Sequence, residues 1–273
     1  MKQLLPSIDA RGGRRPRRVI VGPAIRLCSA LLIGMAFIAQ TNLSLAASDD
    51  SWSRAIAKRD LTEIARLVAA GADVNRSNGD GMTALMVACA ERDDSLRRVL
   101  LEHGARVNAA NDRGGTPLMY SATVGDLEAV QLLLSRGAEI NAHATNGWTA
   151  LTLAAARGFD DVATVLLAHG ADPNVRDIYG WTPLMRAVEH ERRAVVRVLL
   201  ESDRLNINVQ NENGHTALHQ AALGGFTEIG RMLVTRGANV TLIDHAGRTP
   251  MALAIASGHE ATAEMIGQAA KGE

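Results

Sequence analysis

Apolar and polar positions along this chain recur in blocks. A polar opening, Asp or Asn, leads to a Gly and then a Thr. Pro or Ala follows, then Leu or Met, then a run of small residues. A second apolar stretch closes each block with a doublet: Leu100-Leu101, Leu132-Leu133, Leu166-Leu167 and Leu199-Leu200. The Thr recurs at Thr83, Thr116, Thr149, Thr182, Thr216 and Thr249, in steps of 33, 33, 33, 34 and 33 residues. A fixed period of this length is the signature of a solenoid, in which each unit buries its apolar face against its neighbours.

Each block predicts two helices and a turn. Gly81, Gly114, Gly147, Gly180, Gly214 and Gly247 stand where a turn needs positive φ. The Thr predicts a helix N-cap, and Pro117, Pro183 and Pro250 occupy the first helical turn, where no hydrogen bond is lost. The apolar doublet marks a second helix, ended at Gly104, Gly137, Gly170 and Gly237 by a left-handed residue. A tail such as Gly-Ala-Asp-Val-Asn then leads into the next turn, with Asn75, Asn108, Asn141, Asn174 and Asn208 in register.

These Thr-Pro-Leu starts, Gly-Ala-Asp-Val-Asn and Gly-Ala-Asp-Pro-Asn tails and the 33-residue step resemble the ankyrin repeat, over about residues 49–270. The resemblance implies an all-α solenoid of stacked helix-turn-helix units with β-turn tips. An N-terminal cap is expected at 49–77, and repeats start near 78, 111, 144, 177, 211 and 244. The last serves as a polar C-terminal cap, with Thr262, Ala263 and Gly267 in place of larger apolar residues.

Three departures stand out. His follows the Thr-x-Leu start only at His219; Met86, Met119 and Met185 replace it elsewhere, so the inter-repeat bonds associated with that His are mostly lost. Arg92 and Glu191 occupy positions where Gly125, Gly158, Gly225 and Gly258 end the first helix, which predicts strained turns. The stretch 201–208 is one residue longer and lacks the capping Gly, so a bulged loop and the weakest seam are expected there.

Composition changes this picture in one respect. Residues 1–46 hold seven of the 29 basic and one of the 29 acidic residues, which leaves 22 against 28 and a net of −6 for the rest. An acidic body argues against nucleic acid as a partner. The basic start, the thirteen-residue apolar run Leu27–Ala39 and Ser44-Leu45-Ala46 read as a secretory signal peptide over 1–46, cut before residue 47. An uncleaved anchor or a mitochondrial presequence are the other readings, and Arg17-Arg18 leaves Sec and Tat export unseparated. On the first reading, 47–273 is one exported domain, expected in a bacterial periplasm as a monomer without stable membrane insertion.

No Gly-rich phosphate loop, His-Glu-x-x-His or Cys-x-x-Cys spacing occurs, so no cofactor, metal or catalytic residue is assigned. His215 and His219 are four apart, but the first precedes the helix cap, which makes a shared face doubtful. His103 and His169 fall at helix C-termini, where the macrodipole favours them. Cys89 occupies a core column that holds Ala155 and Ala222 elsewhere.

Surface chemistry remains. The resemblance implies a concave face built from turn tips and first-helix ends, used for protein binding. Its candidates are Trp148, Arg157, Ile178, Tyr179, Trp181, Glu189, His190 and His215. Three of the seven aromatic residues after position 46 lie at turn tips, and rings gathered at a surface resemble binding hot spots. Packing of the tryptophans on adjacent turns is the alternative. The function expected is a non-catalytic protein-binding module. Small-molecule binding, an enzymatic accessory role and plain scaffolding are the competing classes.

Overall fold

The structure, a computed structural model, describes residues 51–271. The described residues form fourteen helices in seven pairs. The first pair is α1 (Ser51–Lys58) and α2 (Leu61–Ala69), followed by α3 (Ala84–Ala90) and α4 (Asp94–Glu102). Next come α5 (Pro117–Val124) with α6 (Leu127–Ser135), and α7 (Ala150–Arg157) with α8 (Asp160–Ala168). Then follow α9 (Pro183–Glu189) with α10 (Arg193–Leu200), and α11 (Ala217–Gly224) with α12 (Thr227–Thr235). The last pair is α13 (Pro250–Ala256) and α14 (Glu260–Lys271).

Each first helix begins as the sequence predicts. The hydroxyls of Thr83, Thr116, Thr149, Thr182, Thr216 and Thr249 accept from the backbone N–H three residues on. The inner first helices, α3 to α11, are buried over most of their surface: in α7, every residue from Ala150 to Ala156 is buried. Small side chains make this possible, because they let neighbouring backbones approach closely. Second helices bury one stripe, such as Val195, Val196, Leu199 and Leu200 of α10. Cys89 is fully buried within α3, and burial pushes its thiol up to about 11, far from a reactive thiolate.

Two ladders join the repeats. In the first, the tail asparagines reach forward. Asn75 Nδ2 donates to Gly104 O at 3.1 Å, and its Oδ1 accepts from Arg106 N at 2.8 Å. Asn108 and Asn174 repeat both bonds, and Asn141 and Asn208 repeat the second. In the other, the turn tips bond to one another: Asp112 N donates to Asp80 O, Thr145 N to Arg113 O, Ile178 N to Asn146 O, Glu212 N to Tyr179 O and His245 N to Asn213 O. Inter-repeat bonding therefore runs mainly through tails and turns; first helices add His219, from Nε2 toward Arg248 O at 3.2 Å, and Tyr120, whose hydroxyl donates to Met82 Sδ at 3.0 Å.

The irregular positions take the shapes their chemistry dictates. Gly125 ends α5 at φ 69°, and a Cβ there would lie 2.5 Å from the Phe159 ring. Arg92 and Glu191 hold the same left-handed turn with side chains, at φ 58° and 54°, and Arg59 does so in the first unit at φ 52°. Arg59 also forms a 2.6 Å ion pair with Glu91 of the next unit. In the longer 201–208 stretch, Arg204 donates back to Ala171 O at 2.7 Å. Arg236 of the following repeat donates back to Leu200 O at 2.5 Å. An open groove of about 590 Å³ lies there between α10 and α12.

At the first cap, Trp52 takes the core position, 1% exposed, and donates from Nε1 to Arg76 O at 2.9 Å. At the far end the two helices of the last pair differ from each other in what they expose. In α14, Thr262 is buried and bonded to Thr227 at 2.7 Å. In α13, Met251 and Ile255 are exposed, because no further repeat covers their face among the described residues. The signal-peptide region 1–46 lies outside the described residues.

Candidate concave binding site

The site is built from a geometric rule set by the turn. In most repeats the opening Asn or Asp folds its own turn, its Oδ1 accepting two backbone N–H groups. Asp177 accepts from Tyr179 N and Trp181 N, both at 2.9 Å. Asn78, Asn111, Asn211 and Asp244 do likewise. The second side-chain atom is left facing the preceding repeat, where the residue before the cap Thr meets it. Met82 meets Asn111 and Tyr120; Trp148 meets Asp177; His215 meets Asp244.

At Asp177 this contact becomes a buried cluster. Trp148, 7% exposed, donates from Nε1 to Asp177 Oδ2 at 3.2 Å. Arg186, rising from the middle of α9, bonds the same oxygen and reaches Glu189 Oε2 at 3.0 Å. Its guanidinium carbon lies 5.1 Å from the Trp148 ring centroid and 4.4 Å from that of Trp181. Two indoles thus sandwich one cation, a favourable contact once water is excluded. Arg186 Nε is buried with no hydrogen-bond partner. Arg97 in α4 is the other buried guanidinium, paired with Asp126 at 2.8 Å, and it lies remote from the concave face.

Around the cluster the surface opens. Ile178 and Tyr179 at the turn tip are 53% and 58% exposed, and Trp181 is half-buried between them and Arg186. On the helix-end side stand exposed Arg157, half-buried Glu189 and His190, and exposed Arg192. Arg192 donates from Nε to Ala156 O at 3.2 Å and lies against Gly158, which brings α9's end beside α7's. His190 lies 3.7 Å from Glu189. Burial holds the His190 pKa below its usual value; Glu189 opposes this, and the positive charges of Arg192, Arg186 and Arg157 add to it.

One repeat further, His215 and His219 stack with centroids 5.6 Å apart and planes 4° from parallel. The doubt about a shared face is therefore corrected: the residue before the cap folds back over the first helical turn. Each ring is held as a neutral imidazole. His219 Nδ1 accepts from Thr216 N at 3.1 Å while its other nitrogen faces Arg248 O. His215 lies 3.3 Å from Asp244 through Nε2 and 3.2 Å from Gln220 through Nδ1. Burial lowers the pKa of both. Among the described residues no three metal-ligating side chains converge.

The structure brings Trp148, Trp181, Glu189, His190 and Arg157 around one centre, with Ile178 and Tyr179 at its edge; His215 belongs to the next repeat. Sequence reasoning missed Arg186, Asp177 and Arg192. A signal for Arg186 existed: four residues after the cap Thr, other copies carry Val87, Leu153 and Leu253. A charge in that column implies a buried partner.

Stacked helix pairs joined by bonded tails and turn tips define a helical solenoid repeat protein. The sequence profile of ankyrin repeats (3 copies) matches residues 52–144, 137–211 and 203–271, and the chain belongs to the ankyrin repeat family. The crystal structure of the ankyrin repeat domain of Bcl-3, described as a unique member of the IkappaB protein family, is similar. Its sequence identity is 27% and its TM-score 0.68, over 80% of this chain and 98% of that one. No curated protein matches the chain significantly. Ankyrin repeats are in general protein–protein interaction modules and typically not enzymes, and none of the described helices is long and apolar enough to cross a membrane.

Proposed function

We propose that this chain is a non-catalytic binding protein of an exported compartment, a bacterial periplasm, and that it holds a partner protein on the concave face of its third to fifth full repeats. The observation that carries the reading is the pair of exposed apolar tips, Ile178 and Tyr179, beside half-buried Trp181, all backed by the Arg186 sandwich. A rigid aromatic ledge gives area at low entropic cost, as hot spots require. Trp148 serves from beneath: it fixes Asp177 and Arg186 rather than touching the partner. The basic-apolar-small order of residues 1–46 supports export.

The test is affinity capture from the exported fraction, using residues 47–273 as bait beside a Tyr179→Ala/Trp181→Ala bait that remains folded at the temperature of capture. A partner retained by the first and lost by the second is expected. A partner retained equally by both contradicts the surface assignment. Native material that starts at Met1 in N-terminal sequencing contradicts export by cleavage before residue 47.

A further inference from the structure

The aromatic ledge has a counterpart across the concave face. Arg157 ends α7, Arg192 follows α9, and His190 lies between them with Arg186 beneath. Arg157 and Arg192 are exposed, and no ion pair neutralises either among the described residues. Of the two acids flanking His190, Glu189 is already committed to Arg186 at 3.0 Å. Glu191 is likewise taken, by Arg193. This leaves surplus positive charge on a body whose residues after 46 carry a net −6.

On the reading of the concave face as the binding surface, on which this rests, we infer that the bound partner segment is acidic: it lays apolar side chains on Ile178, Tyr179 and Trp181 and carboxylates against Arg157, His190 and Arg192. Complementary charge steers encounter and selects partners more than it adds raw affinity. Two guanidiniums suit carboxylates because their fork can bond both oxygens. His190 makes the contact proton-linked. Burial and the nearby Arg192, Arg186 and Arg157 hold its pKa below the usual value in the free protein, against Glu189. A carboxylate brought to the same place opposes those arginines and raises its pKa. Binding then takes up a proton and tightens as pH falls through the raised pKa of bound His190 toward the lower one of the free protein.

The probes are a blocked synthetic peptide alternating Glu with Leu and Phe, and its counterpart with Lys for every Glu. They are titrated into residues 47–273 with amide and His side-chain NMR as the readout. The acidic peptide is expected to move the signals of Tyr179, Trp181, Arg157 and Arg192 and to raise the His190 pKa, while the Lys peptide does not. Arg157→Glu, at an exposed position, is expected to weaken the acidic peptide about tenfold, the scale of ~1.4 kcal/mol, with the protein still folded and only a small fall in melting temperature, since an acid at the end of α7 opposes the helix dipole. If both peptides move the ledge signals equally, the charge inference is overturned while the concave reading stands. If the acidic peptide moves only α8, α10 and α12, or nothing, the inference is overturned; signals confined to those outer helices count against the concave reading too.

Discussion

A guanidinium held between two indoles divides the work of those rings. Trp148 is enclosed, with its N–H on Asp177, whereas Trp181 keeps one part of its surface open. Trp148→Ala is therefore expected to cost about 3–5 kcal/mol of stability, as large-to-small changes at buried aromatics do. It also leaves the Arg186–Asp177 pair short of a partner. Trp181→Ala should lower stability less and weaken partner binding roughly thirtyfold, the equivalent of ~2 kcal/mol at a hot spot. Thermal melting and a binding isotherm on both variants check this. The paired histidines set a second expectation. His215 and His219 have folded-state pKa values below the unfolded one, so the fold favours their neutral forms. Their contribution to stability is complete above the unfolded pKa of about 6.5 and is lost as pH falls below it. Melting temperature should drop from pH 7 to pH 5, and His215→Gln/His219→Gln should flatten the drop.

At the level of single elements, strain and insertion decide where the array is weak. Arg92 and Glu191 hold a left-handed turn that Gly125, Gly158 and Gly225 take without cost. Replacing either by Gly should stabilise by roughly 1 kcal/mol, the penalty for a side chain in that conformation. The exposed Glu191–Arg193 pair lost in one of them contributes little. Differential melting of Arg92→Gly and Glu191→Gly measures it. The 201–208 stretch behaves differently. Its ties to neighbouring repeats are side chains, Asn174 to Arg204 O and Asn206 N, Arg204 to Ala171 O and Arg236 to Leu200 O, beside the open groove between α10 and α12. Amide exchange should be faster at Ser202–Asn206 than at Gly137 or Gly170, and Arg204→Ala should accelerate it further. Equal protection across all the tails contradicts this.

Legibility also followed scale. Helix starts were readable because Thr, Pro and Gly act on local backbone, within a turn of themselves. Positive φ at Arg92 and Glu191 followed from register alone. Exposure of the tip aromatics was not readable, since Trp148 and Trp181 occupy equivalent positions in successive repeats. What separates them lies in the following repeat: Asp177 offers Trp148 an acceptor, while Asn211 presents a buried amide that finds no partner. The His215–His219 stack escaped notice for the same reason, because helical spacing does not describe a residue outside the helix.

Across the whole array, stability is a sum over neighbouring units, and function requires several of them to present one face. Among the described residues the large exposed apolar side chains lie at the fourth repeat's tip, Ile178 and Tyr179, toward the last repeat, Ile243, Met251 and Ile255, and singly at Val99 of α4, which is 37% exposed. The group toward the last repeat follows from the end of the stacked repeats. The tip pair has no such explanation, since it lies mid-array, where packing is complete on both sides. That contrast motivates the central claim, that the partner is held on the concave face of the middle repeats. Amide-exchange footprinting of the protein with its captured partner tests it most directly. The account predicts protection at Ile178–Trp181 and at Arg157 and His190–Arg192, with α8, α10 and α12 unchanged. Protection confined to those outer helices, or to Met251 and Ile255, would contradict it.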